Sequence, residues 1–189
     1  SAEGAAYTER MRFQTLWNGM SIKASAASLS KIEKFGSVKA VYPVGIHRLP
    51  ETTQVSPDLA TAIVQTGADI AQNTLGLTGK GVKVAVMDSG LDYHHPDLGG
   101  GFGKGKRVFT GWDFVGEDYI GSNTPVPDPD PDDCKRPEAG NAAGHGTHVS
   151  GTIGAATNNA SNIAGINWVS KILPVRVLGK CGGYTSDIM

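Results

Sequence analysis

Cysteine is scarce in this chain of 189 residues: Cys134 and Cys181 are the two it has. Two thiols are too few for a disulfide framework, and they lack the spacing of a zinc site. One bridge in an oxidising compartment and a pair of inert thiols both remain open. Long apolar runs are also missing, and none approaches the ~20 residues that a membrane span needs. An excess of charge of either sign is absent too, with 17 Lys and Arg against 18 Asp and Glu. The basic residues are scattered, not striped, which excludes the electrostatic footprint of a nucleic-acid or anionic-membrane binder. There are no internal repeats. The chain starts without Met and without a visible signal peptide, and both ends read as cut from something longer, so the missing signal carries no weight against secretion.

Glycine is what the chain has in plenty, 26 residues of it, well above the usual ~7%. The glycines are aperiodic, which excludes collagen and points to many tight turns and close backbone approaches. With 39% hydrophobic residues, the composition is that of an ordinary globular chain able to bury a core.

Along the chain, the apolar residues between Met11 and Lys23, interrupted at Asn18-Gly19, suggest two strand pieces around a turn. Leu29, Ile32 and Phe35 recur at helical spacing behind Ser25, a candidate N-cap, and Gly36 closes the pattern. Val38, Ala40 and Tyr42 alternate as a short strand stopped by Pro43. Residues 1–43 therefore read as a small α+β unit. Residues 44–57 show no period and read as a linker. From residue 58 onward the pattern alternates. A helix over 57–67 and a short helical stretch ending near Leu75 precede a buried strand over Val82–Met87. A helix starting at His145 and a further strand over Lys171–Leu178 follow. That order predicts an α/β fold with a parallel sheet. Between Gly99 and Gly140 only Val108–Val115 looks like strand. The rest, with its Pro- and Asp-rich run over 125–133, reads as a long solvated surface loop.

Two places carry chemistry. Asp88 ends the strand over Val82–Met87, and the carboxyl ends of strands in open α/β sheets are where functional groups collect. His145 sits between two glycines at a helix start, where the local field keeps an imidazole neutral and available as a base. Alone, each is better explained in plain structural terms, Asp88 as a strand-end turn residue and His145 as a satisfied structural histidine.

Together they match more. Val84-Ala85-Val86-Met87-Asp88-Ser89-Gly90-Leu91-Asp92 with His95-Pro96-Asp97-Leu98, followed by Gly144-His145-Gly146-Thr147-His148-Val149-Ser150-Gly151-Thr152, resembles the Asp and His boxes of the subtilases. The order Asp, His, then Ser is that of subtilisin and is taken from the resemblance. Residues 11–43 resemble the second half of a subtilase propeptide, and Ile172-Leu173-Pro174-Val175-Arg176-Val177-Leu178 resembles the strand leading to the substrate-binding edge.

The resemblance implies a secreted serine endopeptidase made as a zymogen. It implies a partial ferredoxin-like propeptide over 1–43, processing within 44–57, and the front part of a catalytic domain over 58–189. Asp88 and His145 would be two members of the triad. No Gly-Thr-Ser box follows, so the serine and the oxyanion asparagine are expected beyond Met189, and this stretch alone is expected to be inactive. Gly182 and Gly183 match the edge that pairs with an extended polypeptide substrate. A structural calcium site is carried over to the Asp97 carboxylate, the Asn159 side-chain oxygen and carbonyls near Thr157, Ser161 and Ile163. Cys134 and the turn Gly179-Lys180-Cys181-Gly182-Gly183 resemble secreted bacterial members, and the secretion this implies favours a bridge between Cys134 and Cys181 that would tie the long insert to the cleft rim. The partners implied are polypeptide substrates and the chain's own propeptide, with no organic cofactor, nucleic acid or membrane.

Three alternatives stand beside that reading. The first is a pseudoprotease or propeptide-type inhibitory module. The second is a metalloenzyme using His145, His148 and Asp88, although no Glu accompanies the histidines as in the zincin motif. The third is a second calcium site on Asp128, Asp130, Asp132 and Asp133, against which stands the simpler reading of a solvated loop.

Overall fold

A computed structural model describes residues 4–49, 59–133, 144–160, 163–180 and 182–189. Cys134, Cys181 and Ser161 lie outside these residues, as do the supposed N-terminus of the helix at Pro57 and most of the 44–57 linker.

Strands β1 (Tyr7–Phe13) and β2 (Gly19–Ala24) form an antiparallel hairpin with an irregularity between Glu9 and Met11. Helix α1 (Ala26–Ile32) follows, and Ser25 caps it as its sequence position suggests, accepting the Ser28 N–H at 3.2 Å. Such a cap satisfies one of the orphan donors of the first turn. The strand expected over Val38–Tyr42 does not form: residues 38–45 pair with no strand. Pairing begins only at β3 (Ile46–His47), which has a partner far along the chain in β7 (Gly183–Tyr184). Alternation alone makes no strand without an edge to bind.

Helix α2 (Leu59–Thr66) ends at Gly67, whose φ of 72° is left-handed. A π-helical turn over Ile70–Thr74 follows. The functional sheet is parallel, in the order β4 (Lys83–Asp88), β6 (Lys171–Arg176), β5 (Trp112–Asp113). The central strand contains Pro174, which removes a ladder donor and is unusual there. Gly111 makes room for it: a β-carbon at Gly111 would lie 2.6 Å from the Pro174 carbonyl oxygen and 2.9 Å from Cγ of its ring. Helix α3 (His145–Gly154) packs on β4 and β6. Val86, Leu91, Leu98, Val108 and Ile172 form the buried core beneath it, with Val149 and Ile153 of α3 against them. Helix α4 (Thr185–Ile188) closes the described chain.

The 99–133 stretch is more ordered than its composition suggests. Arg107 donates to the carbonyls of Gly154 and Trp168 at 2.9 and 2.7 Å. Arg176, fully buried, binds Asp113 at 2.9 Å, Glu117 at 2.6 Å and the Asp132 carbonyl at 3.1 Å. Asp113 also accepts the N–H groups of Val115 and Gly116. Its burial pushes the carboxyl above the ordinary range, while those N–H groups and Arg176 pull the other way.

Candidate active site

Asp88 is the last residue of β4 and 8% exposed. His145 opens α3, behind Gly144, whose φ of 87° turns the chain into the helix. The parallel register and the packing of α3 on β4 bring the two together. His145 Nδ1 stands 2.8 Å from Asp88 Oδ1 and 3.0 Å from Oδ2. Beside an ionised carboxylate that nitrogen carries the proton, which leaves Nε2 as the free base position. Asp88 Oδ1 also accepts the Ser89 N–H at 2.7 Å, which fixes the carboxylate plane.

The close approach depends on Gly146, where a β-carbon would meet the Gly90 carbonyl oxygen at 2.1 Å. Behind the pair lies a network centred on Asp133, a residue whose Pro- and Asp-rich surroundings have the composition of a solvated loop. Asp133, 4% exposed, accepts from the Ser89 hydroxyl at 2.9 Å and from the N–H and hydroxyl of Thr147 at 3.1 and 2.6 Å. Ser89 Oγ in turn accepts the Gly146 N–H at 3.0 Å, and Thr147 Oγ1 accepts the Asp92 N–H at 2.8 Å. A hint was present in the His box: Thr147 is a hydroxyl residue at the third position of a helix that lacks a side-chain N-cap.

The acids proposed as a second calcium site do not converge. Asp128 and Asp130 accept the backbone N–H groups of Asp130 and Asp132, and Tyr93 donates to Asp130 at 2.7 Å. Among the described residues no group of three or more His, Cys, Asp or Glu side chains is arranged to hold a metal, the His145, His148 and Asp88 set included.

Of the carried-over calcium residues, Asp97 and Asn159 meet, with Asn159 Nδ2 2.6 Å from Asp97 Oδ1. The loop bends through left-handed Asn158 and Ala160, and the Thr157 hydroxyl is buried with no hydrogen-bond partner. Ile163 is 44% exposed at the far end. The Asp97 carboxylate and the Asn159 amide oxygen are hard donors of the kind calcium takes, and turning the Asn159 amide, whose orientation hydrogen-bond geometry alone decides, would face its oxygen toward Asp97.

Gly183 begins β7, which pairs with β3 in a two-stranded sheet of its own, and Gly182 bridges to Gly179 just before it. The register places His47 opposite Gly183 and Ile46 opposite Tyr184. Thr185 donates its N–H to the Gly45 carbonyl at 2.9 Å. A cavity of 460 Å³ opens beside this pairing, lined by Ile46, Leu49, Ile120, Ser122 and Tyr184 among others. The N-terminal hairpin reaches the same rim. Arg10 binds the buried Asp187 carboxylate at 3.0 Å and the Ser122 carbonyl at 3.0 Å, with its guanidinium 4.6 Å from the centre of the Tyr184 ring. Tyr119 donates to the same Asp187, and burial first, then that carboxylate, pushes its phenol well above the usual tyrosine range.

A carboxylate at the carboxyl end of a parallel strand, holding an imidazole at the start of a packed helix, is an oriented acid–base pair in an α/β scaffold. The Subtilase family (Peptidase S8) matches residues 79–189, more than half of the chain, and the chain belongs to that family. It is 35% identical to the minor extracellular protease Vpr of Bacillus subtilis (strain 168), over 93% of this chain and 21% of that protein. It is 39% identical to the extracellular basic protease of Dichelobacter nodosus, over 60% of this chain and 20% of that one. Thermitase of Thermoactinomyces vulgaris is 39% identical over 57% of this chain and 30% of its own length. The chain thus spans between a fifth and a third of these relatives.

Proposed function

We propose that this chain is the front part of a secreted serine endopeptidase that hydrolyses polypeptides. The bond between His145 Nδ1 and Asp88 carries the reading. In it Asp88 fixes the tautomer and stabilises the imidazolium. His145 Nε2 takes the proton of a serine hydroxyl as that oxygen attacks a peptide carbonyl, and later returns it to the leaving amine. The serines of the two boxes do not suit the nucleophile's part. Ser89 is buried with its hydroxyl on Asp133, and Ser150 is buried on α3. The nucleophile and the oxyanion donor belong to sequence beyond Met189. Three relatives named as extracellular proteases support secretion. Among the described residues no helix is long and apolar enough to cross a membrane.

Residues 1–43 act as the propeptide, 44–57 as the processed linker and 58–189 as the first part of the catalytic domain. Support comes from β3, which lies where an extended substrate is expected to add a strand, and from Arg10, which ties the N-terminal hairpin to the rim. Calcium is the metal suited to the loop, held by the Asp97 carboxylate, Asn159 and carbonyls near Thr157, Ser161 and Ile163. When bound it supplies structural cross-linking and no reaction chemistry. Cys134 and Cys181 are proposed as a bridge.

The test is peptide hydrolysis by the full-length protein. His145→Ala is expected to lower kcat by about 10⁶-fold and Asp88→Asn by about 10⁴-fold. A serine-directed covalent inhibitor should label one serine outside this chain. A folded full-length protein that neither hydrolyses peptides nor takes the label would leave the pseudoprotease reading.

A further inference from the structure

We propose that Asp133 is the positioning residue that holds the Asp88–His145 pair in register, and that it acts by binding the strand end and the helix start with one carboxylate. This rests on the reading of Asp88 and His145 as the acid–base pair. Asp88 belongs to β4 and His145 to α3, 57 residues later. Their separation is therefore set by whatever fastens the end of β4 to the first turn of α3. Val149 and Ile153 pack the helix on the core further along, and at its first turn Gly144 provides no side-chain cap.

Asp133 supplies the fastening. Oδ1 binds the hydroxyl of Ser89, next to Asp88. Oδ2 binds both the N–H and the hydroxyl of Thr147, two residues past His145. Because both hydroxyl protons point at Asp133, both hydroxyl oxygens are left to accept: Ser89 takes the Gly146 N–H and Thr147 takes the Asp92 N–H. A single carboxylate thereby orients two hydroxyls, and with them a set of five hydrogen bonds around the pair. It also places a negative charge at the N-terminus of α3, where the helix field favours one. A neutral acceptor of the same shape would do less, since hydrogen bonds to an ionised carboxylate are roughly twice as strong.

Asp133 is itself held. Its segment is pinned at the two residues before it, by the Leu91 N–H on the Pro131 carbonyl at 3.0 Å and by Arg176 on the Asp132 carbonyl at 3.1 Å. Gly90, with a φ of 108°, allows this approach, because a β-carbon there would sit 2.7 Å from the Asp132 carbonyl oxygen. The long insert between β5 and α3 thus delivers a carboxylate to the back of the site. Its acids at 128 and 130 serve as turn caps along the way.

The experiment uses the full-length protein. Asp133→Ala is expected to lower kcat about 10²-fold, the cost of moving a catalytic group by roughly 1 Å, with KM changed by less than about threefold. The far-downfield proton resonance of the His145 Nδ1–H bonded to Asp88 is expected to weaken or vanish. Asp133→Asn keeps one acceptor oxygen for Thr147 and should restore most of that resonance, with kcat between wild type and Asp133→Ala. Wild-type kcat with an unchanged resonance overturns the proposal, and so does a loss confined to KM. If Asp133→Ala does not fold, Ser89→Ala and Thr147→Val each remove one arm, and an unchanged resonance in both overturns it. The resonance needs no turnover, so a protein without peptidase activity defeats the endopeptidase reading while still deciding this one.

Discussion

A β-carbon on Gly146 would lie 2.1 Å from the carbonyl oxygen of Gly90 and 3.2 Å from Oδ1 of Asp88. The first neighbour is backbone, so no side-chain swing relieves the clash, and the start of α3 must move. Gly146→Ala is therefore expected to cost about 1–3 kcal/mol of stability and about 10²-fold in kcat. Thermal unfolding and steady-state kinetics check both. A fully active, equally stable variant would show that the two elements are not held at this spacing.

Gly182 has a φ of 94°, and a β-carbon there would fall 1.8 Å from the His47 carbonyl oxygen. Gly182→Ala is expected to lift β3 off β7 and to weaken any extended polypeptide on this edge. KM for peptide substrates should rise about tenfold with kcat nearly unchanged, the pattern of lost uniform binding. Protease nicking near Ile46–His47 should speed up in the same variant. Unaltered KM and nicking would remove the edge from the substrate site.

The Tyr119 phenol is 1% exposed, and its pKa is raised above the ordinary 10.0 by burial and by Asp187. Above about pH 10 the unfolded chain releases this proton while the folded chain keeps it. Alkali then favours unfolding. The stabilisation is complete below about pH 10 and falls above it, by up to about 1.4 kcal/mol per pH unit. Denaturant unfolding of wild type and Tyr119→Phe across that range should show the slope shallower in the variant. Parallel slopes would mean that Tyr119 ionises freely in the fold.

Calcium at about a hundredfold over its dissociation constant is expected to add about 2.7 kcal/mol to stability. Chelation should remove that increment, and Asn159→Ala should abolish the response to calcium without abolishing folding. A melting temperature indifferent to both calcium and chelator would show that the loop around Asn159 holds no calcium.

The Asp and His boxes were legible because their chemistry is local. A strand-end carboxylate and a glycine-flanked histidine are readable within nine residues each, and so was the Ser25 cap. Asp133 was not, because a run of Pro and Asp has the composition of solvated chain. What holds it, Arg176 on the neighbouring Asp132 carbonyl and Ser89 and Thr147 on the Asp133 carboxylate, comes from three separate parts of the sequence. The strand read over Val38–Tyr42 failed for the opposite reason. Its alternation was local, but the partner edge lies at Gly183–Tyr184 and takes up Ile46–His47 instead. The left-handed glycines after α2 and before β4, at 67, 76, 79 and 81, are among the tight turns that the glycine count implied, since glycine reports backbone conformation directly.

The pairing of β3 with β7 joins residues more than a hundred positions apart in one covalent chain. Its strength is therefore governed by an effective concentration, which tether length and stiffness set and which dilution does not change. Two strands of two residues each would not find one another as free peptides, yet here they persist at any protein concentration. One break anywhere in the tether turns the same contact into an ordinary bimolecular one, and it then fades as the solution thins. The covalent connection, more than the contact surface, makes this edge a self-covered one.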